Sequence, residues 1–235
     1  MSESTPGTSL PVPLRWQVAG VAIAYSTLGD GDMRLPATRL AWLAAQGVAR
    51  RCVLPRQVHG CRVVDAQASA AELALADGVV SADATLALGV YGADCPALVL
   101  VAPDALGVAH CGWRGTAQGI VAALVAALAR VSAQPPAAWR GFVGPGISGP
   151  LYEVDAPVLG ARAWPAAALS PGRPGHALLD VPGAVAADAL GCGVGTVTRS
   201  GVCTAGDERL WSYRRRGAGQ VQALVAWRLP SAGAT

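Results

Sequence analysis

Leu86-Ala87-Leu88-Gly89-Val90-Tyr91-Gly92-Ala93-Asp94-Cys95-Pro96-Ala97-Leu98-Val99-Leu100-Val101 is the stretch on which the fold turns. It is rich in apolar residues and broken at Gly89 and Gly92, so it reads as two or more strand segments. Just after it, Leu106–His110 reads as a further short buried strand. Before it, Val58–Val64 and Gly78–Ser81 read as short strands near turns, and Trp16–Ser26 alternates loosely as a strand. Downstream, Thr116–Val131 is a long Ala/Leu/Val-rich helix. Trp139–Val143 reads as a strand that stops at Gly144-Pro145-Gly146, Val181–Leu190 as a helix followed by Gly191, and Val197–Val202 and Val221–Trp227 as closing strands. Pro36–Gln46 has helical spacing, with Pro36 suited to a helix start and Gly47 to its end. Strands outnumber helices and do not alternate strictly with them, which predicts a mixed α+β fold over a doubly wound sheet.

The 235 residues are 52% hydrophobic and 14% charged, a composition that buries a large core and excludes disorder for most of the chain. The longest apolar stretch, Gly119–Ala129, is shorter than the roughly 20 residues a bilayer requires. A net charge of +3 is too small to imply nucleic acid. All 18 basic residues are arginine. Without lysine there is no Walker A site and no Schiff-base chemistry. Any cation for a phosphate or carboxylate must be an arginine, a metal or a backbone N–H. Residues 1–13 are polar and Pro-rich and read as a disordered lead-in with no secretory signal, leaving 14–235 as a single catalytic domain. The expectation is a cytoplasmic monomer or small homo-oligomer with no membrane and no nucleic-acid partner. Its six cysteines, Cys52, Cys61, Cys95, Cys111, Cys192 and Cys203, are then free thiols.

Three histidines are present: His59, His110 and His176. His176 lies in a Pro/Gly-rich loop and reads as solvated. His59 ends Arg56-Gln57-Val58-His59, a strand-to-turn junction, and His110 stands where a strand gives way to the long helix. Cys95 lies between them in sequence. Two imidazoles and a thiolate supply three ligands to zinc and leave a fourth position for water, whose pKa falls to about 7 when bound. By strand alternation, Cys111 and Asp94 face away from their neighbours His110 and Cys95. Gly112-Trp113-Arg114-Gly115 joins a strand to a helix, where free N–H groups and a guanidinium favour an anion; pairing of Arg114 with an acidic neighbour is the equal alternative.

Five blocks then carry a resemblance. They are Gln57-Val58-His59-Gly60, Ala93-Asp94-Cys95-Pro96, Ala109-His110-Cys111-Gly112-Trp113-Arg114-Gly115, Gly144–Pro150 with Tyr152-Glu153-Val154, and Cys203-Thr204 with Trp211-Ser212-Tyr213-Arg214-Arg215. In this order, from about Leu28 to Leu229, the chain resembles the YfiH-like family, also known as the laccase-domain, polyphenol oxidoreductase or peptidoglycan editing factor family. The resemblance implies a mixed β-sheet sandwich with flanking helices, similar to the catalytic fold of the cytotoxic necrotizing factor. It implies a metal, zinc or alternatively copper, on His59, Cys95 and His110, which are also the catalytic residues. Gln57, Arg114, Tyr213 and Arg214 become the substrate-binding candidates. The implied activity is phosphorolysis of adenosine, inosine and methylthioadenosine, with adenosine deamination, on small-molecule nucleoside and phosphate. The chain departs from the family at three places: it lacks the usual Arg and Ser-Leu-Asn elements before the first helix, it has Cys111 where Ala is usual, and it carries Arg216 and Gln220 near positions that are often Asp and Arg.

Three other readings use the same residues. A copper polyphenol oxidase finds its two histidines and cysteine, but a further multinuclear cluster would have only His176 left. A cysteine hydrolase acting in peptidoglycan editing would take Cys95 as nucleophile and His110 as base. A structural zinc module would need a fourth protein ligand.

Overall fold

The computed structural model describes residues 14–230; the lead-in read for 1–13 lies outside the described residues. In chain order the elements are β1 (Leu14–Val18), β2 (Val21–Tyr25), α1 (Pro36–Ala45), β3 (Cys52–Val53), β4 (Val63–Asp65), α2 (Ala70–Leu73), β5 (Gly78–Ser81), β6 (Ala87–Gly92), β7 (Ala97–Val101) and β8 (Leu106–His110). There follow α3 (Trp113–Ala117), α4 (Ile120–Val131), β9 (Arg140–Val143), β10 (Glu153–Val154), α5 (Ala156–Leu159), β11 (Leu169–Pro171), β12 (Ala177–Leu179), α6 (Val181–Gly191), β13 (Thr196–Arg199), α7 (Tyr213–Arg216) and β14 (Gln222–Arg228).

Two mixed sheets face one another. One has the order β1-β2-β14-β6-β3, the other β13-β9-β7-β8-β5-β4; a small antiparallel sheet, β10-β12-β11, flanks them. Side chains alternate across each strand, so every central strand feeds two cores. In β7, Ala97, Val99 and Val101 enter the layer between the sheets with Ile23, Leu88 and Leu224, whereas Leu98 and Leu100 point to the opposite face and pack with Leu124 and Leu128 of α4 and Val185 of α6. The outer face of the five-stranded sheet is closed by Trp42 and Leu43 of α1 against Ala24, Val225 and Trp227. The result is four layers, helix–sheet–sheet–helix, and it bears out the mixed α+β sandwich. Truncating a fully buried residue of the central layers such as Leu98 to alanine would cost about 2–5 kcal/mol.

Several boundaries differ from the sequence reading. Trp16–Ser26 is not one strand, because a turn at Ala19 and Gly20, both with positive φ, folds it into the β1–β2 hairpin. Gly89 does not interrupt β6. It sits opposite Val225 of β14, where a Cβ would come 2.7 Å from the Leu224 carbonyl oxygen, so the glycine allows close strand approach. The real break is the loop 93–96. The expected helix 116–131 is two helices, starting earlier at Trp113 and divided at Gly119, whose φ of +90° no helix accommodates. Of the expected strand 58–64 only the last two residues are extended, and the expected 197–202 runs instead from Thr196 to Arg199. No helix among the described residues is long and apolar enough to cross a membrane.

Candidate active site

The site lies where three connections meet at one end of the six-stranded sheet. His110 is the last residue of β8 and pairs in register with Ala97, the first of β7, so the loop 93–96 that carries Cys95 folds over it. The Cys111 amide, donating to the Pro96 carbonyl at 2.8 Å, ties the two connections together. His59 arrives from the segment between β3 and β4. One ligand atom each from His59, Cys95 and His110 lies within 4.8 Å of the other two, and among the described residues this is the one such cluster. The two imidazole rings meet edge to face, with centroids 4.8 Å apart.

What holds His59 and His110 is a carboxylate that sequence reasoning passed over. Asp77, just before β5, is fully buried. Its oxygens accept three consecutive backbone N–H groups, from Val58 at 3.1 Å, His59 at 2.9 Å and Gly60 at 2.8 Å, and face His110 Nδ1 at 3.0 Å. Burial alone would raise its pKa, but the His110 contact and the backbone donors outweigh that and hold the carboxyl below its usual range. The bond to Nδ1 leaves His110 Nε2 to face Cys95. The three captured amides also force His59 into the left-handed region, at φ +61°, which explains why no strand forms there. The sole clue in the sequence was an aspartate directly before the short strand Gly78–Ser81.

Two glycines of the Gly112-Trp113-Arg114-Gly115 block are explained by contact. A Cβ on Gly112 would stand 2.8 Å from Cys95 Sγ and 3.5 Å from both imidazole rings. A Cβ on Gly115 would stand 2.6 Å from the Gly60 carbonyl oxygen, so α3 rests directly on the His59 turn. Burial raises the Cys95 thiol pKa, but His110 and His59 overcome it and bring it down to about 6. Reciprocally, burial lowers His110 while Cys95 and Asp77 lift it to about 9. Cys111 behaves in the opposite way: it lies in the helix-side core, as alternation predicts, and burial pushes its pKa up. All six cysteines are free thiols.

The donor set fits a metal. Two imidazole nitrogens and a thiolate suit zinc, and copper accepts the same three. The aspartate behind His110 is the partner a metal-bound imidazole ordinarily has. A group of three leaves one side of the cluster open, and that side is a cleft of about 1080 Å³.

The cleft is lined by five arginines, Arg34, Arg39, Arg56, Arg114 and Arg214. Arg34 is neutralised by Asp32. Arg56 and Arg114 have no carboxylate partner among the described residues; the Arg114 guanidinium stacks 4.3 Å from the Trp113 ring centroid. α3 has five residues, so the guanidinium itself, and not a long helix dipole, is the charge that α3 brings to the cleft. Arg214 lies 4.9 Å over the Tyr152 ring and donates to the Glu153 carbonyl at 3.3 Å. Tyr213 is exposed at the rim. Gln57 lines the cleft, but its side-chain amide is occupied: Nε2 donates to the Tyr91 carbonyl at 2.8 Å and Oε1 accepts the Tyr91 N–H at 2.7 Å, clamping the end of β6. Among the described residues Asp94 is the only acidic one that lines the cleft. It is not on a strand, as expected, but in the loop after β6 with φ +88°. Arg216 pairs with Glu208, and His176 is half-buried away from the triad, its Nδ1 3.1 Å from the Pro174 carbonyl.

A four-layer α/β sandwich with a His–Cys–His cluster under an arginine-lined cleft is the class of protein that this architecture defines. Within that class the chain belongs to the family described as multi-copper polyphenol oxidoreductase laccase, which it matches over residues 20–228. A purine nucleoside phosphorylase of Streptomyces coelicolor is 35% identical over 215 residues, covering 86% of this chain and 87% of that protein. Another of that name, from Deinococcus radiodurans, is 39% identical over 164 residues; the match covers 68% of this chain and 62% of the relative's length. Among solved structures, a Neisseria meningitidis protein superposes with a TM-score of 0.78 at 27% identity, over 93% of this chain and 99% of that one. YlmD of Geobacillus stearothermophilus superposes equally well, TM-score 0.78 at 25% identity, over 90% and 93%.

Proposed function

We propose that this chain, with 14–235 acting as one catalytic unit, is a zinc-dependent purine nucleoside phosphorylase of adenosine, inosine and methylthioadenosine, with adenosine deamination as a side activity. The observation that carries the reading is the open-sided His59–Cys95–His110 cluster at the floor of a cleft whose Arg56 and Arg114 are without a carboxylate partner among the described residues. The names of its relatives support it. Zinc on these three residues supplies Lewis acidity at the cleft floor. The rest falls to the chain's own side chains. Arg114 and Arg56 hold the phosphate dianion. Tyr213 and Arg214 hold the nucleoside at the rim, and Gln57 orders that wall through Tyr91. A phosphate oxygen bonds to C1′ as the C1′–N9 bond breaks, the bonding pair stays on N9, and the phosphate's proton ends on the purine. Holding both reactants in this geometry is where catalysis originates.

The test is chromatographic measurement of adenine and ribose 1-phosphate released from adenosine, with zinc per chain determined on the same sample. Adenine release that depends on phosphate is expected; release without phosphate, or none, overturns the reading. Inosine formed from adenosine reports the deaminase activity.

A second reading has its own observation. Cys95, His110 and Asp77 form a thiol–imidazole–carboxylate relay, with the thiol pKa brought down to about 6, which is the arrangement of a cysteine hydrolase. Loss of activity in Cys95→Ala with zinc still bound would favour it.

A further inference from the structure

Asp94 stands beside Cys95, yet its carboxylate reaches across the cleft floor to a part of the chain more than a hundred residues later. Oδ1 accepts the Thr204 hydroxyl at 2.6 Å, and Oδ2 accepts the Ser212 hydroxyl at 3.0 Å and the Arg214 backbone N–H at 2.7 Å. Its carbonyl accepts the Ile147 amide at 2.7 Å. The side chain is buried, at 7% exposure, and its backbone sits at φ +88°, a conformation that a non-glycine residue keeps only when its surroundings enforce it.

The pattern at α7 gives these bonds their meaning. Ser212 caps α7 by accepting the Arg215 N–H at 3.2 Å, so its hydroxyl proton is left to donate to Asp94. The Arg214 N–H, which has no partner within so short a helix, is taken by Asp94 as well. The first turn of α7 is therefore capped by its own serine and by an aspartate from the loop of the Cys95 ligand. α7 is otherwise held within its own neighbourhood, by the Gly217 N–H on the Tyr213 carbonyl at 2.8 Å and by the Arg215 guanidinium on the carbonyls of Ala205, Asp207 and Leu210, so the bonds of Asp94 are what join it to the Cys95 loop; Tyr213 is 62% exposed and the Arg214 side chain reaches the Glu153 carbonyl and the Tyr152 ring.

We propose that Asp94 is a positioning residue that locks the Tyr213–Arg214 rim to the Cys95 loop, so that the group holding the nucleoside stays in register with the cluster beneath it. The inference rests on the phosphorylase reading for its kinetic consequence, but not for the tether itself. Asp94 touches no reactant; it acts through Arg214.

The experiment has two independent arms. Hydrogen–deuterium exchange of the zinc-loaded protein follows peptides spanning 203–217 in wild type, Asp94→Ala and Asp94→Asn. Faster exchange there in Asp94→Ala, with zinc per chain unchanged and Asp94→Asn closer to wild type, is expected, since asparagine keeps one acceptor oxygen and tolerates positive φ. Unchanged exchange overturns the tether whether or not the chain cleaves nucleosides. The second arm is a double-mutant cycle on KM for adenosine. Asp94→Ala is expected to raise KM about tenfold, the scale of a lost charge-assisted hydrogen bond, and to have little further effect once Arg214→Ala is present. Additive effects overturn the coupling through Arg214. If wild type shows no phosphorolysis while exchange rises as expected, the phosphorylase reading fails and the tether stands.

Discussion

The floor and the rim of the cleft are built in opposite ways. At the floor the frame is tight, although the His59 side chain is itself exposed: Asp77 grips three amides and His110, Gly112 leaves no spare space under Cys95, and Gly115 seats α3 against the Gly60 carbonyl. At the rim, Arg56 has no carboxylate partner among the described residues, Arg114 leans on Trp113 and Arg214 on Tyr152. A floor that must present three donor atoms within a few ångströms needs a rigid frame, whereas a rim that receives an anion from water works with long, partly solvated guanidiniums. Perturbation at the floor should therefore abolish binding of the metal, and perturbation at the rim should change affinity for reactants alone.

The largest effect is expected from Asp77→Ala. Three part-buried amides and a buried imidazole lose their acceptor at once, so the variant should lose about 3–5 kcal/mol of stability and most of its bound zinc, measured by denaturant unfolding and elemental analysis. Retained zinc at wild-type stability would mean that the floor does not depend on its aspartate. Gly112→Ala comes next. The added methyl group collides with Cys95 Sγ, and a displacement of even part of an ångström should cost about 10²-fold in turnover with the fold intact, as judged by circular dichroism.

Chemical labelling sharpens the contrast between the half-buried Cys95 and the buried Cys111. In metal-free protein, iodoacetamide should modify Cys95 at a rate that climbs as pH rises through about 6, because the thiolate forms there, while Cys111 stays protonated and unlabelled at neutral pH. The sign extends to stability. The depressed thiol pKa contributes only as long as pH stays above about 6, and the raised His110 pKa only while pH stays below about 9. Metal-free protein should thus be most stable between those values, which thermal melts across pH would show; a maximum outside that window would contradict the thiolate–imidazolium pair. The smallest effect belongs to the rim: Arg114→Ala should raise KM for phosphate roughly tenfold and leave zinc content unchanged. An altered zinc content would show that floor and rim are not separable.

Much of this was legible in the residues themselves. Local signals placed α1 between Pro36 and Gly47 and marked the strands β5 and β8, and the chemistry of two histidines and a cysteine nominated His59, Cys95 and His110. Strand alternation turned Cys111 away from the cluster without any coordinates. Where the reading slipped, a distant partner had overruled a local preference. Val58 and His59 look extended by composition, but three amides pointing at one buried carboxylate bend them into a turn. Gly89 looks like a break, but the strand is continuous there and β14 presses close against it. Asp77 and the partners of Asp94 were hidden for the same reason: a carboxylate's worth lies in which groups converge on it, and those come from 17 to 33 residues away in one case and from 110 to 120 in the other. Residue types and their periodicity determined which chemistry this chain carries; only the packing of distant segments decided where that chemistry is held, because a buried charge is stable solely where the fold delivers partners to it.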